Sequence, residues 1–189
     1  MPFLQRDDSE RGYTLVELIV YSGLLLLVVI VVGSLFLSGL RTTERVRAMT
    51  AATTSAQVVA DSIETNVRNS TDFLLTNPSG TDQFLVARTT RRDATLSWQC
   101  VAWYYSASGT GSIRFKQSSG AILAPTPTEL QAWTLVQQGI APSTGAAVFT
   151  TSGQSLTLNF NSLVGDRPPV VISSSATSRA GASGNLTCF

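Results

Sequence analysis

Residues 12 to 37 read Gly12-Tyr13-Thr14-Leu15-Val16-Glu17, followed by LIVYSGLLLLVVIVVGSLFL. The second part, Leu18 to Leu37, carries neither a charge nor a proline. With Tyr13 to Val16 before it and the small residues up to Leu40 after it, the apolar stretch is about 28 residues long. As a helix that is roughly 42 Å, more than the ~30 Å hydrocarbon core of a bilayer. A secretory signal carries a shorter apolar region, about 7 to 15 residues, with a small-residue cleavage site behind it. The stretch is therefore read as a membrane-length helix. Glu17 sits at its mouth. A carboxylate there costs on the order of a few kcal/mol unless a cation or hydrogen-bond donor offsets it.

On one side lies a polar leader, Met1 to Gly12, with Arg6, Asp7, Asp8, Glu10 and Arg11. On the other side stand Arg41, Arg45 and Arg47. Basic residues on both flanks leave the orientation undecided by charge. From Arg41 to Ser70 the chain holds neither Gly nor Pro, so the spacing predicts one continuous helix from about Thr14 to Asn69. Val46, Met49, Ala56, Val59, Ile63 and Val67 recur at steps of three, four or seven and predict an apolar stripe on its second half. Glu44 with Arg47, and Glu64 with Arg68, stand at helical pairing distances. Gly33 and Gly39 are the places where the helix could bend.

Beyond Asp72 the period changes to two. Phe73–Thr76, Phe84–Thr89, Leu96–Tyr105 and Ser112–Gln117 read as strands. Leu96–Tyr105 is apolar on both faces and is expected to be a central strand covered on two sides. Residues 121–128 hold two prolines and read as a loop, and 129–140 (ELQAWTLVQQGI) fit either a short helix or a strand. Residues 147–151 and 155–163 form a hairpin about Gly153, and 170–175 a last strand. The fold class expected is α+β. A long N-terminal helix, membrane half 13–40 and amphipathic half 41–70, packs on a C-terminal antiparallel β-domain, 71–189.

Charged residues are only 13% of the chain, against about a quarter in average proteins. Ser and Thr make up about a quarter instead, which fits a surface-exposed β-rich domain better than a cytosolic one. The formal net charge of +1 gives no bulk attraction to nucleic acid. A local basic patch of Arg88, Arg91 and Arg92 could still meet a nucleic acid, with Trp98 or Tyr104 stacking on bases; the plainer reading is a solvated turn at a sheet edge. With no histidine, His-based triads, dyads and metal sites are excluded, and Gly109-Thr110-Gly111 precedes no helix that would cradle a phosphate. No catalytic residue, cofactor or metal is expected. Cys100 and Cys188 are either a disulfide, as an exported domain would carry, or two buried free thiols.

The segment RGYTLVELIVYSGLLLLVVIVVGSLF resembles the N-terminal signature of type IV prepilins and pseudopilins. In that family a polar leader ends in Gly, the first mature residue is aromatic, the fifth is Glu, and an apolar helix follows. Gly12, Tyr13 and Glu17 occupy those places, with Tyr13 standing where Phe is usual. The order of CVAWYY, SIRFKQ, TLVQQGI, VFTTSGQ, TLNF and VVIS further resembles a J-type or W-type minor pilin. The resemblance implies that a prepilin peptidase removes residues 1–12 after Gly12 and methylates the new amine of Tyr13. It implies that Glu17 pairs with the N-terminal ammonium of a neighbouring subunit. The expected protein is non-catalytic. It is held in the cytoplasmic membrane by one pass with its C-terminal domain outside, then moves into an extracellular or periplasmic filament. Its partners would be other pilin or pseudopilin subunits and an inner-membrane assembly platform, in a type IV pilus or a related secretion filament. The alternatives are a major pilin, a membrane-anchored adhesin, and a DNA-capture module of a competence pilus.

Overall fold

The computed structural model describes residues 13–91, 97–143, 147–165, 167–178 and 187–189. The chain divides into two compact units, Met1–Val46 and Arg47–Phe189. The first is helical throughout its described length from Leu15. Helix α1 spans Leu15–Arg68, within a residue of the expected bounds at each end. Thr14 caps its start: the Thr14 hydroxyl oxygen accepts from the Glu17 N–H at 3.3 Å, and the Thr14 carbonyl from the Leu18 N–H at 3.1 Å. Hydroxyls inside the apolar run bond back to their own helix, Ser22 to the Ile19 carbonyl and Ser34 to that of Val31. Polar side chains are thereby satisfied without water.

The second unit has the order β1 (Ser70–Thr76), β2 (Gln83–Arg91), β3 (Ser97–Ser106), β4 (Ser112–Ser118), α2 (Pro127–Gln131), β5 (Thr134–Gln138), β6 (Ile140–Pro142), β7 (Phe149–Ser152), β8 (Ser155–Val164) and β9 (Arg167–Thr177). Strands β1 to β5 form one antiparallel sheet in sequence order. A second sheet is built around β8, with β9 along one edge and β6 and β7 sharing the other. The architecture is α+β, a long N-terminal helix packed on antiparallel β-structure.

Strand β3 is central, as its two apolar faces require. Val101, Trp103 and Tyr105 point into a core with Ala56, Val59, Ile63 and Val67 of α1 and Leu156, Leu158 and Phe160 of β8. Cys100, Ala102 and Tyr104 point the other way, into a smaller cluster with Phe84, Val86, Ile122, Trp133 and Cys188. The helical stripe is shorter than the periodicity predicts. It is buried from Ala56 onward, whereas Met49 is 41% exposed and Val46 58%. Apolar spacing marks a helix face but not where its cover begins.

Residues 129–140 resolve into both alternatives in turn. Thr126 and Glu129 form a reciprocal capping box with Pro127 in the first turn, so the short helix α2 starts inside the expected loop. Bonds from the Thr126 backbone N–H and hydroxyl hold the Glu129 carboxyl below the usual range. Strand β5 follows, and the chain crosses from one sheet to the other at Gly139. The Gly111 carbonyl accepts there from the N–H groups of Gly139 and Ile140. Gly111 has φ 77°, and a Cβ on it would lie 1.8 Å from the Ile140 carbonyl oxygen, so no side chain fits. The last strand begins three residues earlier than expected, taking in Pro168 and Pro169. Proline is tolerated there because, among the described residues, β9 pairs with β8 alone, and the register shifts between Ser162 and Val164.

Gln83 ties the two sheets together. Its buried amide donates to the Phe149 carbonyl at 2.8 Å and accepts from the Phe149 N–H at 2.9 Å, completing from β2 the bonding of a residue in β7. Gln83→Leu keeps the volume but orphans two buried backbone groups. It is expected to cost about 2 to 3 kcal/mol. Urea unfolding checks this, and a midpoint equal to that of the parent would remove Gln83 as the inter-sheet tie.

Candidate functional site

The first candidate is the start of α1. Tyr13 is 79% exposed, and Glu17, in the first turn, is half-buried. The Tyr21 hydroxyl, one turn further on, donates to a Glu17 carboxylate oxygen at 3.5 Å, a long bond at the edge of useful strength. The carboxylate also stands where the N-terminal end of the helix dipole favours negative charge. Thr14-x-x-Glu17 has the spacing of a capping pattern, and the same spacing, Thr126-x-x-Glu129, opens α2. Gly12 and the leader lie outside the described residues.

From Leu18 to Leu37 the helix carries no charged side chain. Leu18 to Leu37 are exposed in the isolated chain, with Leu24 to Val32 between 48% and 70% accessible. By length and composition this is a helix able to cross a membrane, and it lies near the N-terminus. So large an exposed apolar surface calls for lipid or protein around it.

Cys100 and Cys188 are joined in a disulfide with Cα atoms 5.5 Å apart, closing a separation of 88 residues. Both are buried, and the Cys188 carbonyl accepts from the Ile122 N–H at 3.1 Å. The bond fixes the C-terminus against the face of β3 that α1 does not cover.

Of the arginines singled out in the sequence, Arg88 and Arg91 do not share a face. Positions 88 and 91 fall on opposite faces of β2 by strand alternation. The Arg88 guanidinium donates to the Thr71 hydroxyl at 2.6 Å and lies 5.9 Å from the centre of the Trp98 ring. Arg91 instead borders a polar groove of about 800 Å³ on the α1 side, with Asp61, Asn66, Gln99 and Gln117. Arg92 lies outside the described residues. Tyr104 is buried, not presented for stacking.

Tyr104 belongs to a separate tie. Its hydroxyl donates to Asp82 at 2.9 Å, and the other Asp82 oxygen accepts from the Ala107 N–H at 2.8 Å. Burial, then the bond to Asp82 and its charge, push the Tyr104 phenol from its ordinary value of 10.0 up to about 12. Burial and the Asp82 charge raise Tyr105 as well. A raised folded-state value favours the neutral phenol. The stability it contributes is complete below pH 10.0 and is lost as pH climbs toward about 12. The urea midpoint is therefore expected to fall across that window, and to fall less in Tyr104→Phe. Equal slopes in the two proteins would contradict the assignment.

Among the described residues no three His, Cys, Asp or Glu side chains converge as a metal site would need. No protein-family model matches the chain, and no significantly similar curated protein or solved structure is found.

Proposed function

We propose that the chain is a non-catalytic filament subunit of the type IV pilin and pseudopilin class. It is held in the cytoplasmic membrane by α1 before assembly, with the β-domain outside. The observation that carries the reading is Glu17. It is the fifth residue counting from Tyr13, in the first turn of a helix whose next twenty residues are uncharged and exposed. Its neighbours in its own helix, the Thr14 cap and a long bond from Tyr21, bring no positive charge to it. Cleavage after Gly12 creates an ammonium on Tyr13, and the Tyr13 amine of an adjacent subunit then pairs with Glu17. The disulfide supports a domain that matures in an oxidising compartment.

Within that class the order of the β-domain segments resembles a J-type or W-type minor subunit, one that primes or caps assembly with other subunits. Prepilin peptidase, sister pilins and the assembly platform are the partners this requires. Mass spectrometry of the protein from its native membrane tests the reading. The expected N-terminus is N-methylated Tyr13, in a chain of roughly 177 residues. An N-terminus still carrying the leader on Tyr13 would refute it.

A further inference from the structure

The face of the first sheet turned away from α1 holds a cavity of about 660 Å³, the size that encloses a small molecule. Pro78 walls it from the turn after β1, and Pro125, Pro127 and Leu130 wall it from the α2 segment. Ser106, Ser108 and Ser112, from β3, β4 and the turn between them, add hydroxyls. Among the described residues two charged side chains line it, Asp82 and Arg114, of opposite sign. Both are half-buried, and they make no ion pair with each other. Asp82 stands just ahead of β2, and Arg114 lies in β4, two strands over and so about 10 Å away, with β3 between them.

Each charge is held in place by bonds that leave capacity to spare. The two Asp82 oxygens accept one bond each, from the Tyr104 hydroxyl and the Ala107 N–H, and a carboxylate has about four acceptor sites. Arg114 donates through Nη1 alone, to the carbonyls of Gln131 and Trp133, so its remaining N–H groups are uncommitted among the described residues. Opposite charges fixed apart in one cavity, rather than paired across it, suit a ligand that brings both complementary charges. Fixing them in advance lowers the ordering cost of binding. No described residue that borders an undescribed stretch lines the cavity. The residues bordering 92–96 and 179–186 are fixed toward the other end of the sheet: Arg91 pairs with Ser97, Ser178 is bonded to Ser70, and Cys188 to Cys100.

We infer that this cavity binds a short zwitterionic peptide. The peptide's terminal ammonium meets Asp82, its terminal carboxylate meets Arg114, and an apolar side chain lies against Pro125, Pro127 and Leu130. A guanidinium with free N–H groups is the strongest side-chain partner for a carboxylate. A second residue lengthens the span between the terminal charges by about 3.5 Å, which suits side chains rooted two strands apart better than a single amino acid does. The site belongs to the β-domain and does not depend on entry into a filament.

The test titrates alanyl-leucine into the full chain in micelles of a neutral detergent and reads the heat. The expected result is one saturable site with a Kd of about 1 mM or below, the affinity that a ligand of this size reaches at ordinary efficiency. Acetylating the peptide's amine, or amidating its carboxylate, is expected to weaken binding about tenfold in each case. These comparisons use the parent chain, so they do not rest on a variant folding. Two variants then assign the ends. Asp82→Asn is expected to stop discriminating against the acetylated peptide while still rejecting the amidated one, and Arg114→Gln the reverse. A parent chain with no saturable binding up to about 10 mM, or with equal affinity for the modified peptides, overturns the inference. Leucine binding as tightly as alanyl-leucine overturns it too. So do variants that keep the Cys100–Cys188 bond, read by mass spectrometry, and still rank the three peptides as the parent does.

Discussion

Glu17→Val is expected to leave membrane insertion and leader removal intact while reducing incorporation into filaments by about tenfold or more. The carboxylate lies in the first turn of α1, and nothing in the twenty residues after it is charged. A carboxylate in a bilayer segment costs a few kcal/mol, and in the proposed assembly a neighbour's ammonium would return that cost. Valine suits lipid better than glutamate does, so the precursor itself should be as stable as the parent. What disappears is the term that distinguishes a packed subunit from a membrane-dissolved one. A difference of 1.4 kcal/mol is already a factor of ten. Measurement is direct: the abundance of the variant in sheared filaments against its abundance in membranes. Normal incorporation would show that Glu17 serves as a helix-capping or interfacial residue only. Tyr21→Phe separates the two roles further. It removes the long bond from within the helix and should leave assembly near normal if the decisive partner is an amine from another subunit.

Reduction of the Cys100–Cys188 bond carries the largest expected effect on stability. Closing a separation of 88 residues corresponds to about 4.6 kcal/mol in the chain-entropy account. For a domain of this size that is a fall in Tm of the order of 10 to 15 °C. The loss is expected to concentrate on the face of β3 away from α1. There Cys188 covers Cys100 and holds the C-terminus to Ile122 through its carbonyl. Thermal unfolding with and without reductant measures it, and Cys188→Ala should reproduce the reduced protein. A Tm shift of less than about 3 °C would mean that the packing of Phe84, Ile122 and Trp133 holds that face without the bond.

Much of this molecule can be read locally. The run from Leu18 to Leu37, the lack of any Gly or Pro between Arg41 and Ser70, and the two-faced apolar strand CVAWYY each state their structure within a few residues. Helix bounds, the central place of β3 and the hairpins about Gly111 and Gly153 follow from them. The Thr126-x-x-Glu129 box was equally legible and would have divided residues 129–140 into a helix and a strand. The cysteine pairing was one of two local readings, and geometry decided it.

Other features depend on distance along the chain. Sequence periodicity marks Val46, Met49 and Ala56 alike, but only contact with the sheets buries Ala56 and leaves the other two exposed. Gln83 reads as an ordinary strand residue until β7 is brought beside it, 66 positions later. Arg88 and Arg91 look like one patch in sequence, and alternation across a strand parts them. Among the described residues strand β9 pairs with β8 alone, a fact of topology that no window of residues contains. By itself the sequence determined the elements and the awkward charge at the mouth of the helix, since both are set by neighbours three to seven residues away. Only the tertiary structure decided which faces are covered and which strands are neighbours, since those depend on pairings between residues tens of positions apart.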